Sequence, residues 1–222
     1  SEITKRSPLP VVADIHFDYR LALESIKNGA SKIRINPGNI GGLDRVKAVA
    51  DLAKERNIPI RVGVNSGSIG KDMLEKYGGV NADSLSQSAL SSIRILEDCG
   101  FEDIVVSMKS SDPVLTIESY RLLRDQVPYP FHVGVTEAGT LREGIIRSSV
   151  GIGALLSEGI GDTIRVSLTD EPKEEVYAGS SVLRARALGA GEGVALVCGS
   201  ADFEAPLRAI DDAKRASDAA LV

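Results

Sequence analysis

The sequence predicts an α/β fold of parallel strands: a (β/α) TIM-type barrel, partial or permuted, with its site at the C-terminal ends of the strands. Three observations predict it. Short β-branched runs recur along the chain, amphipathic stretches separate them, and the strands begin roughly 20 to 45 residues apart, the repeat of β–α units. Strict alternation of this kind means parallel strands joined by right-handed crossovers. An open doubly wound sheet is the competing arrangement, but no G-x-G-x-x-G follows any strand.

Taken in order, the strand-like runs are PVVADIH (10–16), KIRIN (32–36), PIRVGVN (59–65), DIVVSMK (103–109), FHVGVTE (131–137) and TIRVSL (163–168). The weaker runs VALVCG (194–199) and AALV (219–222) bring the set to the number a closed barrel needs. DYRLALESIKNGA and LDRVKAVADLAKERN carry apolar residues at helical spacing, and Gly29 and Gly100 mark helix exits. Asp112 precedes Pro113, which suits the first turn of the helix holding LTIESYRLLRDQV. Gly159 and Gly161 turn the chain before TIRVSL, as at a helix end. The longest interval, 66–102, opens with GSIGKDMLEKYGGVNADSLSQ and is expected to be a mobile loop over the strand ends.

At 222 residues, with 43% hydrophobic and 26% charged residues, the composition is that of a soluble globular protein. The net charge of −5, with Lys and Arg scattered, excludes a general nucleic-acid surface, so any cation cluster must be local. No apolar run approaches the roughly 20 residues of a membrane span. SEITKRSPLP resembles neither a secretory signal nor a transit peptide, and a cytoplasmic protein is expected. Cys99 and Cys198 form neither a disulfide scaffold nor a CxxC metal site, and read as small buried apolar residues.

Arginine stands in the middle of three otherwise apolar strands, as Arg34, Arg61 and Arg165. A buried guanidinium costs several kcal/mol unless a carboxylate, an anion or water meets it. Side chains alternate faces along a strand, so Arg34 shares a face with Asn36, and Arg61 with Gly63 and Asn65. Lys109 pairs likewise with Ser107, Arg165 with Ser167, and Asp14 with His16. In a parallel barrel the polar set points inward near the C-terminal mouth, giving a cation-rich cup suited to a diphosphate or bisphosphate. The alternative is that each arginine is already neutralised by a neighbouring strand's carboxylate. Glu137 breaks the parity at its strand end. The turn either redirects it inward for hydrogen bonding or proton handling, or leaves it a loop carboxylate. His16 and His132 are the only histidines, too few for a His₃ zinc site, and no metal site is expected. Asp14 either anchors a substrate hydroxyl or holds an arginine. NPGNIGG (36–42) is either a tight turn or a set of backbone N–H groups open to an anion.

Together VVADIHFDYRLAL, KIRINPGNIG, IPIRVGVNSGS, DIVVSMKSSD, HVGVTEAGT and GIGDTIRVSLTDEP resemble the barrel domain of the hydroxymethylbutenyl diphosphate synthase family, over roughly residues 8–188. The resemblance implies an oxidoreductase of the non-mevalonate (MEP) route of isoprenoid biosynthesis. It implies binding of 2-C-methyl-D-erythritol 2,4-cyclodiphosphate for reductive ring opening, with electrons from ferredoxin or flavodoxin through a [4Fe-4S] cluster. Carried over by motif, Arg34, Arg61, Lys109 and Arg165, with Asn36, Asn65 and Ser167, hold the diphosphate. Glu137 becomes the acid/base candidate, and Asp14 and His16 fall on the rim. A homodimer is also implied.

The family's cysteine and glutamate cluster ligands, which belong to a separate C-terminal domain, are absent here, as are its first two strands. Residues 1–190 therefore read as the barrel core, and 191–222 as an atypical strand–helix–strand tail that either completes the barrel or is an unrelated extension. Without a cluster the chain is not expected to catalyse the reduction alone. Two other functions fit the residues: a cofactor-free barrel lyase or aldolase on a phosphorylated substrate, with Lys109 as Schiff base, or a non-catalytic scaffold.

Overall fold

The computed structural model describes residues 2–185 and 195–196. After a short helix α1 (Glu2–Arg6), strands and helices alternate: β1 (Val12–Asp14), α2 (Tyr19–Lys27), β2 (Lys32–Ile35), α3 (Leu43–Glu55) and β3 (Ile60–Asn65). There follow α4 (Lys71–Tyr77), α5 (Ala82–Asp98), β4 (Ile104–Lys109), α6 (Pro113–Leu123) and β5 (His132–Val133). The series closes with α7 (Leu141–Ser157), β6 (Thr163–Ile164), α8 (Pro172–Ala185) and β7 (Ala195–Leu196). One sheet has the order β1-β2-β3-β4 and the other β5-β6-β7. Sequential neighbours with helical crossovers are what the alternation predicts, and the registered pairs are parallel. The chain divides into two compact units, 1–108 with 122–130, and 109–121 with 131–222.

Within the first unit, Asp18 caps α2 by accepting from the Arg20 backbone N–H, and Gly29 leaves the helix at a φ of 87°. Ile33 and Ile35 of β2, and Ile60, Val62 and Val64 of β3, are buried as one apolar set. The set of opposite parity carries Arg34, Arg61 and Gly63. The interval 66–102 is not a loop. It holds a 3₁₀ turn (Ser66–Ser68), α4 and α5. The reason is legible afterwards: Asn81 and Ser84 cap each other's backbone, and Leu85, Ala89, Ile93 and Leu96 form a buried helical stripe behind them. Cys99, expected in the core, instead ends α5 half-buried.

In the second unit, Asp112 accepts from Val114 N–H and starts α6 at Pro113 as expected. The runs 131–137 and 163–168 keep only two strand residues each, and the first ends in a turn at 136–137, where Glu137 takes a φ of 49°. Isolated backbone bonds continue the contact beyond the ladder, from Arg165 N–H to the Val133 carbonyl and from Ala138 N–H to that of Ser167. The tail contributes β7, parallel to β6, with Ala195 opposite Thr163. The expected strand at 219–222 and Cys198 lie outside the described residues.

Helix α7 lies close to its neighbours because Gly144 and Gly151 face them. A Cβ at Gly151 would stand 2.7 Å from Val135 Cγ2, whereas one at Gly153 would meet nothing within 4 Å. Gly151→Val should therefore cost about 1–3 kcal/mol, and Gly153→Ala should stabilise by about 0.5–1 kcal/mol, both measured by urea denaturation.

Candidate functional site

In the first unit the site is built on the guanidinium of Arg34, which is 7% exposed. Its Nη2 donates to the Gly63 carbonyl at 2.8 Å and its Nη1 to Asp14 Oδ1 at 2.8 Å, with His16 Nδ1 at 3.4 Å. The side chain crosses β3 where Gly63 has none: a Cβ there would come within 1.9 Å of Arg34 Nε. Glycine is required at this position by the arginine, not by its own backbone. Burial pulls the Asp14 carboxyl upward. The Arg34 charge and hydrogen bond, with the charges of His16 and Arg61, outweigh this and hold it below its ordinary value.

Arg61 is Arg34's register partner on β3 and is likewise buried. Lys32 shares the parity of Arg34. Burial first, and then the Arg61 charge, lower its pKa, with Asp103 acting the other way. Three cations thus occupy one face of two adjacent strands. Asn36 is committed to its own turn: its Oδ1 accepts from Gly38 N–H at 3.1 Å, and Ser92 Oγ lies 3.4 Å away. NPGNIGG is accordingly a tight turn, with Asn39 and Ile40 N–H on the Asn36 carbonyl. Asn65, half-buried, ends β3, and its backbone exchanges bonds with the Ser68 hydroxyl. His16 stands at the rim, its Nε2 3.5 Å from Asp14 Oδ1.

In the second unit, Lys109 is 8% exposed and its Nζ lies 3.4 Å from His132 Nε2. The other ring nitrogen of His132 is 2.7 Å from Thr163 Oγ1, and its carbonyl accepts from Tyr120 Oη. Gly134 brings β5 against the next strand, since a Cβ there would meet the Arg165 carbonyl oxygen at 2.4 Å. Arg165 is half-buried, and its Nε is buried without a hydrogen bond. Ser167 is half-buried and its carbonyl holds the Ala138 N–H. Glu137 is exposed, at a positive φ on the turn between those anchored residues. The sequence reading did not single out Lys32 or Thr163, although they share the parity of Arg34 and Arg165, and it left His132 open between a structural and a functional role. The signal for His132 was its place on the face of Gly134, in a VGV run like that of Arg61 and Gly63.

Among the described residues no group of three or more His, Cys, Asp or Glu could hold a metal ion, and Cys99 is the one described cysteine. These residues do not fit an iron–sulfur cluster. No helix among them is long and apolar enough to cross a membrane.

A computed family description, the GcpE TIM-barrel domain, matches residues 1–180. The 4-hydroxy-3-methylbut-2-en-1-yl diphosphate synthase (flavodoxin) of Clostridium acetobutylicum is 64% identical over 184 residues, 83% of this chain and 53% of that protein. The protein of the same name from Ruminiclostridium cellulolyticum is 60% identical over 183 residues, 82% of this chain and 52% of that protein. The chain thus spans about half the length of these relatives. Among solved structures, a GH18 chitinase from Pseudoalteromonas aurantia superposes with a TM-score of 0.56 over 85% of this chain and 79% of the other, at 9% identity, a likeness of fold alone. With a family match over most of its length and relatives at 60% identity and above, this chain belongs to the GcpE TIM-barrel domain family.

Proposed function

We propose that this chain is the substrate-binding barrel domain of a 4-hydroxy-3-methylbut-2-en-1-yl diphosphate synthase, an oxidoreductase of isoprenoid biosynthesis by the MEP route. Its ligand in this reading is 2-C-methyl-D-erythritol 2,4-cyclodiphosphate. The observation that carries the proposal is the pair of buried guanidiniums at one register position, Arg34 and Arg61, with Lys32 on the same face. Like charges side by side in a low-dielectric setting are tolerated when an anion shares them, and a guanidinium fork suits phosphate oxygens. The names of the relatives supply the chemical class of that anion.

The binding residues proposed are Arg34, Arg61, Asn36, Asn65, Asp14 and His16 in the first unit, and Lys109, Arg165 and Ser167 in the second. Glu137 is the proposed acid/base group, its exposed carboxylate presented by a turn pinned on both sides. Asp14 acts through Arg34, whose guanidinium it orients. Residues 191–222 are proposed to supply strand to the fold, for which β7 is the support. Reductive ring opening, its [4Fe-4S] cluster, a flavodoxin or ferredoxin donor and dimer assembly belong in this reading to the whole enzyme. Only substrate binding is assigned to this chain.

Calorimetry tests the reading. The chain should bind the cyclodiphosphate, and Arg61→Ala should weaken binding about 10- to 100-fold, the loss expected for charge-assisted bonds. Gly63→Ala should match Arg34→Ala, since the added Cβ displaces that guanidinium. No binding by the wild-type chain would refute the proposal. Borohydride with substrate should leave no adduct on Lys109; a trapped adduct would favour the Schiff-base lyase.

Asp14 also sets an acid limit. A carboxyl held below its unfolded value of about 3.9 contributes stability above that pH, and loses it as pH falls through the lower folded value. Unfolding of the wild type should therefore steepen below about pH 4, and Asp14→Asn should flatten that limb in a pH series of thermal melts.

A further inference from the structure

We propose that His132 is a positioning residue for Lys109: its imidazole, locked in one tautomer by Thr163, aims the lysine ammonium at the anionic ligand. This rests on the reading of Lys109 as a substrate-binding residue. An ammonium has donors only, so His132 Nε2, 3.4 Å from Lys109 Nζ, serves as acceptor and carries no proton. The proton then sits on Nδ1 and is donated to Thr163 Oγ1, 2.7 Å away. His132 and Thr163 are register partners on β5 and β6, so backbone pairing fixes that bond. The ring's depth is fixed as well. Tyr120 donates to the His132 carbonyl at 2.7 Å and stacks edge-on to Phe131 at 5.4 Å.

The choice of partner has a chemical consequence. A carboxylate beside Lys109 would orient it but cancel its charge. A neutral imidazole gives the flexible four-carbon stem an acceptor while the ammonium keeps its full charge for phosphate oxygens. The stem passes Gly134 at ordinary contact distance, a Cβ there standing 3.6 Å from Lys109 Cε. His132 itself is 1% exposed, so its role is exercised through Lys109 and not by touching a ligand.

Two measurements on the 222-residue chain test this. Imidazole ¹⁵N spectra of the unliganded protein near neutral pH should show His132 with Nδ1 protonated and Nε2 bare, and Thr163→Val should mix the tautomers. A wild type protonated at Nε2, or a spectrum unmoved by Thr163→Val, overturns the proposal. Calorimetry with inorganic pyrophosphate should show Thr163→Val weakening binding about 3- to 10-fold, the loss of one hydrogen bond. His132→Gln, which keeps an acceptor and a donor, should stay closer to wild type than His132→Leu. In a Lys109→Met background Thr163→Val should change nothing further; an equal loss in both backgrounds would make Thr163 merely structural and reject the relay. If the wild type binds the cyclodiphosphate but not pyrophosphate, the same variants are compared with the cyclodiphosphate; if it binds neither, the substrate reading falls and the aiming role of His132 with it, whatever the tautomer spectrum shows.

Discussion

The first unit is organised around one costly event, the removal of the Arg34 guanidinium from water. An unpaired buried charge of this size is not tolerated, so its fork must be met on more than one side. The Gly63 carbonyl and Asp14 meet it, and both follow from the β1-β2-β3 register. The glycine is forced by the same demand, since the side chain lies where a Cβ would be. Asp14 remains 43% exposed at the side chain, so the ion pair stands at the edge of the buried face and not inside it. For Arg34 the neighbouring strand's carboxylate thus both fixes the guanidinium and balances its charge, the alternative raised by the sequence.

The second unit handles its buried cation by a different device. Lys109 faces an imidazole and Arg34 a carboxylate. A carboxylate balances charge and orients; an imidazole only orients. The difference matters for the proposed anion site, because a fully neutralised cluster gains little from a phosphate. Lys32 and Arg61 push the same way on the first unit's face, each disfavouring further positive charge there.

The apolar and polar parities were legible because they need only the two-residue period of a strand. Ile33 and Ile35 against Arg34, and Val62 and Val64 against Arg61 and Gly63, were readable before any coordinates. The role of Gly63 was not, because it depends on which residue of the neighbouring strand lies across it. The surroundings of His132 were not legible for the same reason: its partners Thr163 and Lys109 are distant in sequence. The Oδ1 of Asn36 is taken by its own turn, a local competition that residue type alone does not decide and that leaves only the amide nitrogen for the proposed ligand. The helices of 66–102 were hidden by their glycines and serines, which as Asn81–Ser84 are capping residues and not loop filler.

The chain carries the barrel domain of its family over residues 1–180 and spans about half the length of its relatives; in the proposed reading this domain grips a phosphorylated ligand. A crystal structure of the chain grown with pyrophosphate tests that most directly. The anion should lie within about 3 Å of the Arg61 and Arg34 guanidiniums, with the Arg34–Gly63 bond intact. An anion bound elsewhere, with both arginines unmoved and unengaged, would contradict the account.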